Sequence, residues 1–225
     1  DASTFELWGS LINDGCLILT EVDNILDPIQ LKSILIKNNV NVLWLTAGLF
    51  SRLVESDPII FKIIKTLLVG GDVVSYRHVN MVLEQNPSLN IINGYGPTEN
   101  TTFSLCYKIV GKQKNALPIG KPISNSTVFI VDKNNKLCPI GVKGEILLGG
   151  DGLSRGYQNK PDLTAKKFID NLEELRDRYS GETYKITKGG KEEYISGKEY
   201  WIKENIHYHL LKHCIYGADI DSFAV

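Results

Sequence analysis

Short apolar runs at residues 16–19, 40–45, 66–69 and 89–93 are separated by stretches with helical spacing, and this alternation constrains the fold more than any other feature of the chain. Runs of this length without polar alternation suit strands covered on both faces, and strands separated by helices build a mostly parallel sheet. Helices are expected at 4–13, 28–37, 47–56 and 76–85. Asp27 is a natural N-cap before Pro28, and Asp57-Pro58 reads as the opening of a further short helix. Asn86-Pro87 stops the helix at 76–85. The pattern then changes: residues 118–156 are rich in glycine and short strands, with a hairpin turn expected at Lys133-Asn134-Asn135. The fold class expected is α/β, a mostly parallel sheet with helices followed by a small β-subdomain, then a mixed tail.

The strand at 89–93 runs into Gly94-Tyr95-Gly96-Pro97-Thr98-Glu99, followed by the hydroxyl residues Thr101, Thr102 and Ser104. Glycines let the backbone approach a flat ligand, and Pro97 stiffens the turn. Tyr95 offers an aromatic face for a base. The hydroxyls of Thr98, Thr101, Thr102 and Ser104 suit phosphate, and Glu99 supplies a hard oxygen for Mg²⁺. Gly70-Gly71, at the end of the strand at 66–69, reads equally well on its own as a plain strand-to-helix turn.

With 225 residues, a net charge of −1 and 43% hydrophobic residues, the chain suits a globular domain and gives no sign of a polyanion partner. No apolar run reaches the ~18 residues of a membrane span. Cys16, Cys106, Cys138 and Cys214 are too scattered for a disulfide framework or a zinc pattern, so reduced thiols and a cytoplasmic location are expected. The chain starts at Asp1 without Met and reads as a fragment.

Three further segments strengthen the loop's meaning. They are Asp1-Ala2-Ser3-Thr4-Phe5-Glu6-Leu7-Trp8-Gly9-Ser10, Leu67-Leu68-Val69-Gly70-Gly71-Asp72, and the stretch from Gly144-Glu145-Ile146 through Gly156-Tyr157 to Pro161-Asp162-Leu163-Thr164-Ala165-Lys166-Lys167-Phe168. In this order and spacing, residues 1–170 resemble the central part of amino-acid adenylation domains of nonribosomal peptide synthetases, members of the adenylate-forming enzymes. The resemblance implies part of the large subdomain of that fold. It also implies ATP-dependent activation of an amino acid to its aminoacyl-AMP, with ATP and Mg²⁺ as cofactors and a phosphopantetheine-bearing carrier protein as partner.

Residue by residue, the resemblance assigns Gly70, Gly71, Asn93, Gly94, Tyr95, Gly96 and Thr98 to ATP or AMP. Asn93 would face the adenine edge and Tyr95 would stack on the ring. Thr98 and Glu99 take the catalytic roles, Thr98 at the α-phosphate and Glu99 on Mg²⁺. Asp1, Ala2, Phe5, Trp44, Leu68, Gly70, Gly94, Thr102 and Phe103 would form the amino-acid pocket, with Asp1 holding the α-ammonium. No acid or base faces the substrate side chain, and burying a charge there would cost several kcal/mol. A branched aliphatic substrate is expected, valine first and isoleucine or leucine next.

The chain also departs from that family. The phosphate-binding Ser/Thr/Gly-rich loop, the Tyr-Arg-Thr-Gly-Asp motif after Phe168, the C-terminal subdomain with its catalytic lysine and the carrier's serine motif are not found in it. Positioning and charge neutralisation act as a unit, so little or no adenylation is expected of these residues alone. Glycine thins and charge thickens near residues 170–174, dividing the chain into an adenylation core at 1–170 and an unrelated tail at 171–225. Six of the ten tyrosines and three of the four histidines, His207, His209 and His213, lie in that tail. The tail is similar to part of DNA adenine-N6 methylases, with Asp219 as the acid for the S-adenosylmethionine ribose. That alternative, a methyltransferase piece fused to an adenylation remnant, is the one that would bring a nucleic-acid partner; a non-catalytic remnant is a third reading.

Overall fold

The computed structural model describes residues 2–168, and beyond them the backbone of two strands at 183–188 and 191–196. Two compact units divide between Ser126 and Thr127. The first holds a five-stranded sheet in the order β1-β2-β3-β4-β5: Val42–Thr46, Thr66–Gly70, Asn90–Tyr95, Leu105–Ile109 and Lys121–Pro122. β1, β2 and β3 are parallel, as their separation by helices requires. β4 runs antiparallel to β3, and β5 to β4, so the sheet is mixed.

The helices follow local chemistry. In α3 (Pro28–Lys37) the Asp27 carboxylate accepts from the N–H groups of Ile29 and Gln30, as expected of an N-cap before proline. Thr46 caps α4 (Ala47–Ser56), and Ser75 caps α5 (Tyr76–Gln85). Both helices turn an apolar stripe inward: Phe50, Leu53 and Val54 from α4, Val79 and Val82 from α5. These pack with Leu31 and Leu35 of α3 against Leu45, Leu67, Val69 and Ile91 of the strands. Burying each such side chain contributes about 1.5–3 kcal/mol.

Residues 16–19 are not a strand, although apolar; they run between α1 (Ala2–Leu11) and the five-residue α2 (Val22–Leu26). Leu19 is 82% exposed, and no strand among the described residues lies beside the segment to complete its backbone pairs. Asp57-Pro58 opens turns rather than a helix. Asp57 Oδ1 takes the Ile59 N–H, and the backbone bonds Ile60 to Asp57, Lys62 to Ile59 and Ile64 to Phe61 each span three residues. Lys32 Nζ donates to Asp57 Oδ2 at 2.7 Å, tying α3 to the end of α4 and holding the Asp57 carboxyl below the usual range.

The β-rich stretch expected from residue 118 begins later. Lys121–Pro122 belongs to the first sheet, because Leu105 and Cys106 of β4 pair with it. In the second unit β6 (Ser126–Val131) neighbours β7 (Glu145–Gly150) around Ile130, Cys138 and Ile146. The turn expected at 133–135 forms: Asp132 Oδ1 accepts from Asn134 and Lys136, and Asn135 is left-handed with φ 58°. α6 (Pro161–Lys167) follows, and Thr164 Oγ1 accepts from the Tyr157 N–H. Thr183–Lys188 (β8) and Lys191–Ser196 (β9) form an antiparallel pair. His207, His209, His213 and Asp219 lie outside the described residues, as does Asp1. Among the described residues, no helix is long and apolar enough to cross a membrane.

Candidate functional site

Side chains alternate across a strand, so the register of the parallel strands sorts them by face. Leu45, Val69 and Asn93 form one row, and the first two join the helix-covered core. The opposite face carries the rows Trp44–Leu68–Ile92 and Thr46–Gly70–Gly94. The second of these lies at the carboxyl ends of the parallel strands, where open α/β sheets place their ligands.

The glycines there answer to close packing. A Cβ on Gly70 would overlap the Gly94 carbonyl oxygen. A Cβ on Gly94 would lie 2.7 Å from the Phe103 ring, and one on Gly96 would lie 2.6 Å from the Thr102 carbonyl oxygen. Phe103 thus rests on Gly94 as the chain folds back over Gly96, and the Ser104 N–H donates to the Tyr95 carbonyl at 2.8 Å. Gly71 differs: its φ is +78° and a Cβ would meet nothing within 4 Å, so its backbone borders open space at the end of β2.

Phe103 gathers the other aromatic residues. Its ring meets Phe5 of α1 edge-on at 5.7 Å between centroids and Trp44 of β1 at 6.5 Å. The structure therefore brings together Phe5, Trp44, Gly94 and Phe103 from four separate sequence segments, with Leu68 and Gly70 on the same sheet face. Ala2 lies three residues before Phe5 on α1, and Thr102 precedes Phe103 in a left-handed conformation with φ 65°. One polar atom interrupts this apolar lining: Trp44 Nε1 is buried without a hydrogen-bond partner.

Thr98, Glu99 and Asn100 form a short 3-10 turn directly after Pro97. Thr98 is exposed and Glu99 half-buried. Tyr95 ends β3 half-buried, and burial pushes its hydroxyl pKa up. Asn93 is 6% exposed and donates Nδ2 to the Pro118 carbonyl at 2.9 Å, so part of its amide is committed to fixing the chain before β5. Ser104, read from sequence as a phosphate hydroxyl, is instead fully buried and accepts from Asn100 Nδ2 at 2.8 Å. Asn100 itself drew no attention in the sequence; a polar residue between Glu99 and Thr101 carries no signal that it will be buried.

The donor set suits a magnesium ion. No cluster of three or more His, Cys, Asp or Glu occurs among the described residues, and the acid that this loop supplies is Glu99. Mg²⁺ keeps most of its waters and typically takes one or two carboxylates together with substrate phosphates. A half-buried carboxylate beside an exposed Thr98 hydroxyl fits that habit.

The sequence model of the family described as "AMP-binding enzyme" matches residues 1–158. Tyrocidine synthase 3 of Brevibacillus parabrevis is 50% identical over 171 residues, which are 76% of this chain and 3% of that protein. Among solved structures, PA1221, a nonribosomal peptide synthetase protein containing adenylation and PCP domains, is 33% identical with a TM-score of 0.70, over 87% of this chain and 37% of that one. Its holo form bound to a vinylsulfonamide inhibitor gives 30% and 0.72, over 99% of this chain and 39% of that one. This chain thus spans well under half the length of each.

Proposed function

This chain belongs to the AMP-binding enzymes, as adenylation-domain sequence of the nonribosomal peptide synthetase type, and on that basis we propose that it supplies one wall of a site activating a small branched aliphatic amino acid, valine first. The observation that carries the reading is the row Thr46–Gly70–Gly94 at the strand ends, with Phe103 stacked on Gly94 between Phe5 and Trp44. On this face the Phe103 ring fills the space over Gly94 and the Gly94 carbonyl crowds Gly70, so what it offers a substrate side chain is apolar, with no charged side chain among the described residues that meet Phe103. A pocket that differs by one methylene discriminates by about 1–3 kcal/mol, so isoleucine and leucine follow valine closely.

In the proposed reaction the amino-acid carboxylate attacks the α-phosphorus of ATP, a P–O bond forms to give the aminoacyl-AMP, and pyrophosphate leaves. Asp1 holds the substrate ammonium. Tyr95 and the backbone at Gly70, Gly71, Gly94 and Gly96 hold the adenosine, with Asn93 at the adenine edge. Thr98 orients the α-phosphate. Glu99 would hold Mg²⁺, which supplies neutralisation of the phosphate charge when bound. The acceptor of the product is the phosphopantetheine of a carrier protein, and the setting is cytoplasmic, where ATP and reduced thiols coexist. Cys16, Cys106 and Cys138 are free thiols. We divide the chain functionally into an adenylation core at 1–170 and a tail at 171–225.

The test is ATP–pyrophosphate exchange with valine, isoleucine, leucine and phenylalanine. The 225-residue chain alone should give little or no exchange, and robust exchange would refute its status as a partial site. Grafted in place of the matching segment of an active adenylation domain, residues 1–158 should confer valine-dependent exchange; a preference for phenylalanine would overturn the pocket assignment.

A further inference from the structure

Between the nucleotide side and the amino-acid side of the proposed site lies a turn whose conformation is costly. Thr101 and Thr102 are consecutive β-branched residues with φ 34° and 65°, a region such side chains rarely enter unless the surroundings hold them there. What lies beneath them is a buried polar pair. Asn100 is 1% exposed and Ser104 0%, and their side chains bond to each other at 2.8 Å, Nδ2 donating to Oγ. The bond spans the two strained residues. Backbone bonds brace both ends: Asn100 N–H to the Pro97 carbonyl at 3.0 Å and Ser104 N–H to the Tyr95 carbonyl at 2.8 Å. Polar groups this deep are retained when they specify a conformation, since the same bond gives little net stability over water.

We propose that Asn100 and Ser104 are positioning residues: their buried bond is a clasp that closes the turn, so that Glu99 before it and Phe103 after it are set by a single closure. The clasp couples the two halves of the site because Glu99 adjoins Asn100 and Phe103 adjoins Ser104. Opening it releases Thr101 and Thr102 into ordinary backbone conformations, which turns Phe103 off Gly94 and moves Glu99 at the same time. The consequence for ligands rests on the adenylation reading; the clasp itself does not.

Two measurements on the full chain separate these. The first is amide hydrogen exchange in wild type, S104A, N100A and the double variant; S104A removes one hydroxyl and is the gentler change. Each single substitution should speed exchange of the Asn100 and Ser104 amides by about tenfold, the worth of one hydrogen bond, and leave Leu67–Val69 of β2 unchanged. The double variant should be no faster than the faster single one, because both remove the same bond. Unchanged turn amides in the singles, or effects that multiply in the double, would overturn the clasp. The second is binding of AMP, of valine and of a nonhydrolysable valyl-adenylate mimic. S104A should weaken AMP and valine alike by several-fold. Weakening of one alone would refute the joint positioning. A wild-type chain that binds none of the three would refute joint ligand positioning within these residues, and the exchange data would still decide the clasp.

Discussion

Replacing Gly94 by alanine tests the packing at the centre of the proposed site. The new Cβ would lie 2.7 and 2.8 Å from two atoms of the Phe103 ring. Carbon atoms attract best at about 3.5–4.0 Å, so the ring must retreat by roughly 0.8 Å. It is flanked by Phe5 at 5.7 Å and Trp44 at 6.5 Å between centroids, so the retreat disturbs both neighbours. Overpacking of this kind costs about 1–3 kcal/mol, and a chain of this size loses about 2–4 °C in Tm per kcal/mol. Thermal and urea melts of G94A should show that loss. The decisive variant adds F103A. Gly94 does not have a positive φ, so once the ring is gone alanine fits the strand and stabilises it by about 0.5–1 kcal/mol through lower chain entropy. The effect of G94A should therefore reverse sign between the two backgrounds. G70A is the control: its Cβ meets the Gly94 carbonyl oxygen, a backbone atom, and F103A should bring no relief. An equal penalty for G94A with and without the Phe103 ring would refute the stacked arrangement.

Other predictions concern the scaffold. Burial pushes the Cys106 thiol from its ordinary 9.0 up to about 11, so its neutral form is favoured in the fold. Its contribution is full below pH 9.0 and is lost as pH rises from 9.0 towards about 11, where the unfolded thiol ionises first; urea melts of wild type against C106A across that window should show the difference shrinking. At neutral pH a thiol reagent, read out by peptide mapping, should label exposed Cys16 rapidly and leave Cys106 and buried Cys138 unlabelled in the native chain. D27A removes the cap that serves Ile29 and Gln30 and should lower stability by about 0.5–2 kcal/mol in the same melts, with D27S restoring most of it.

Where local chemistry decides, the fold was legible. α4 and α5 occupy 47–56 and 76–85 as their periodicity and flanking residues predict, and α3 begins after the Asp27 cap. Where a partner decides, it was not. Residues 16–19 have strand composition, yet no strand among the described residues lies beside them. Lys121–Pro122 has almost no strand signal and is one because β4 offers an edge. The site divides in the same way. Gly70, Gly94 and Gly96 stand out in the sequence, and each proves to be a place where a Cβ would not fit. Asn100 and Ser104 do not, because burial of a polar loop residue is a property of the fold around it.

The change of strand direction at β3 bears on how one loop would serve both ligands of the proposed site. β3 is the last parallel strand, so its carboxyl end lies level with those of β1 and β2, where a nucleotide can reach backbone. β4 returns antiparallel beside it, with Tyr95 opposite Leu105 and Gly94 opposite Cys106. The chain between must reverse within nine residues, from Gly96 to Ser104, and lie back on the face it has just left. A parallel crossover would have carried the chain away through a helix of a dozen residues or more. The tight return instead drops Phe103 onto Gly94, two residues before the backbone that leads to Thr98 and Glu99. A small residue at 94 is therefore required by the return itself. In the proposed site the depth of the apolar pocket and the position of the phosphate-side residues are then one structural quantity, and substitutions that alter side-chain size at 94 or 103 should shift nucleotide affinity along with amino-acid preference.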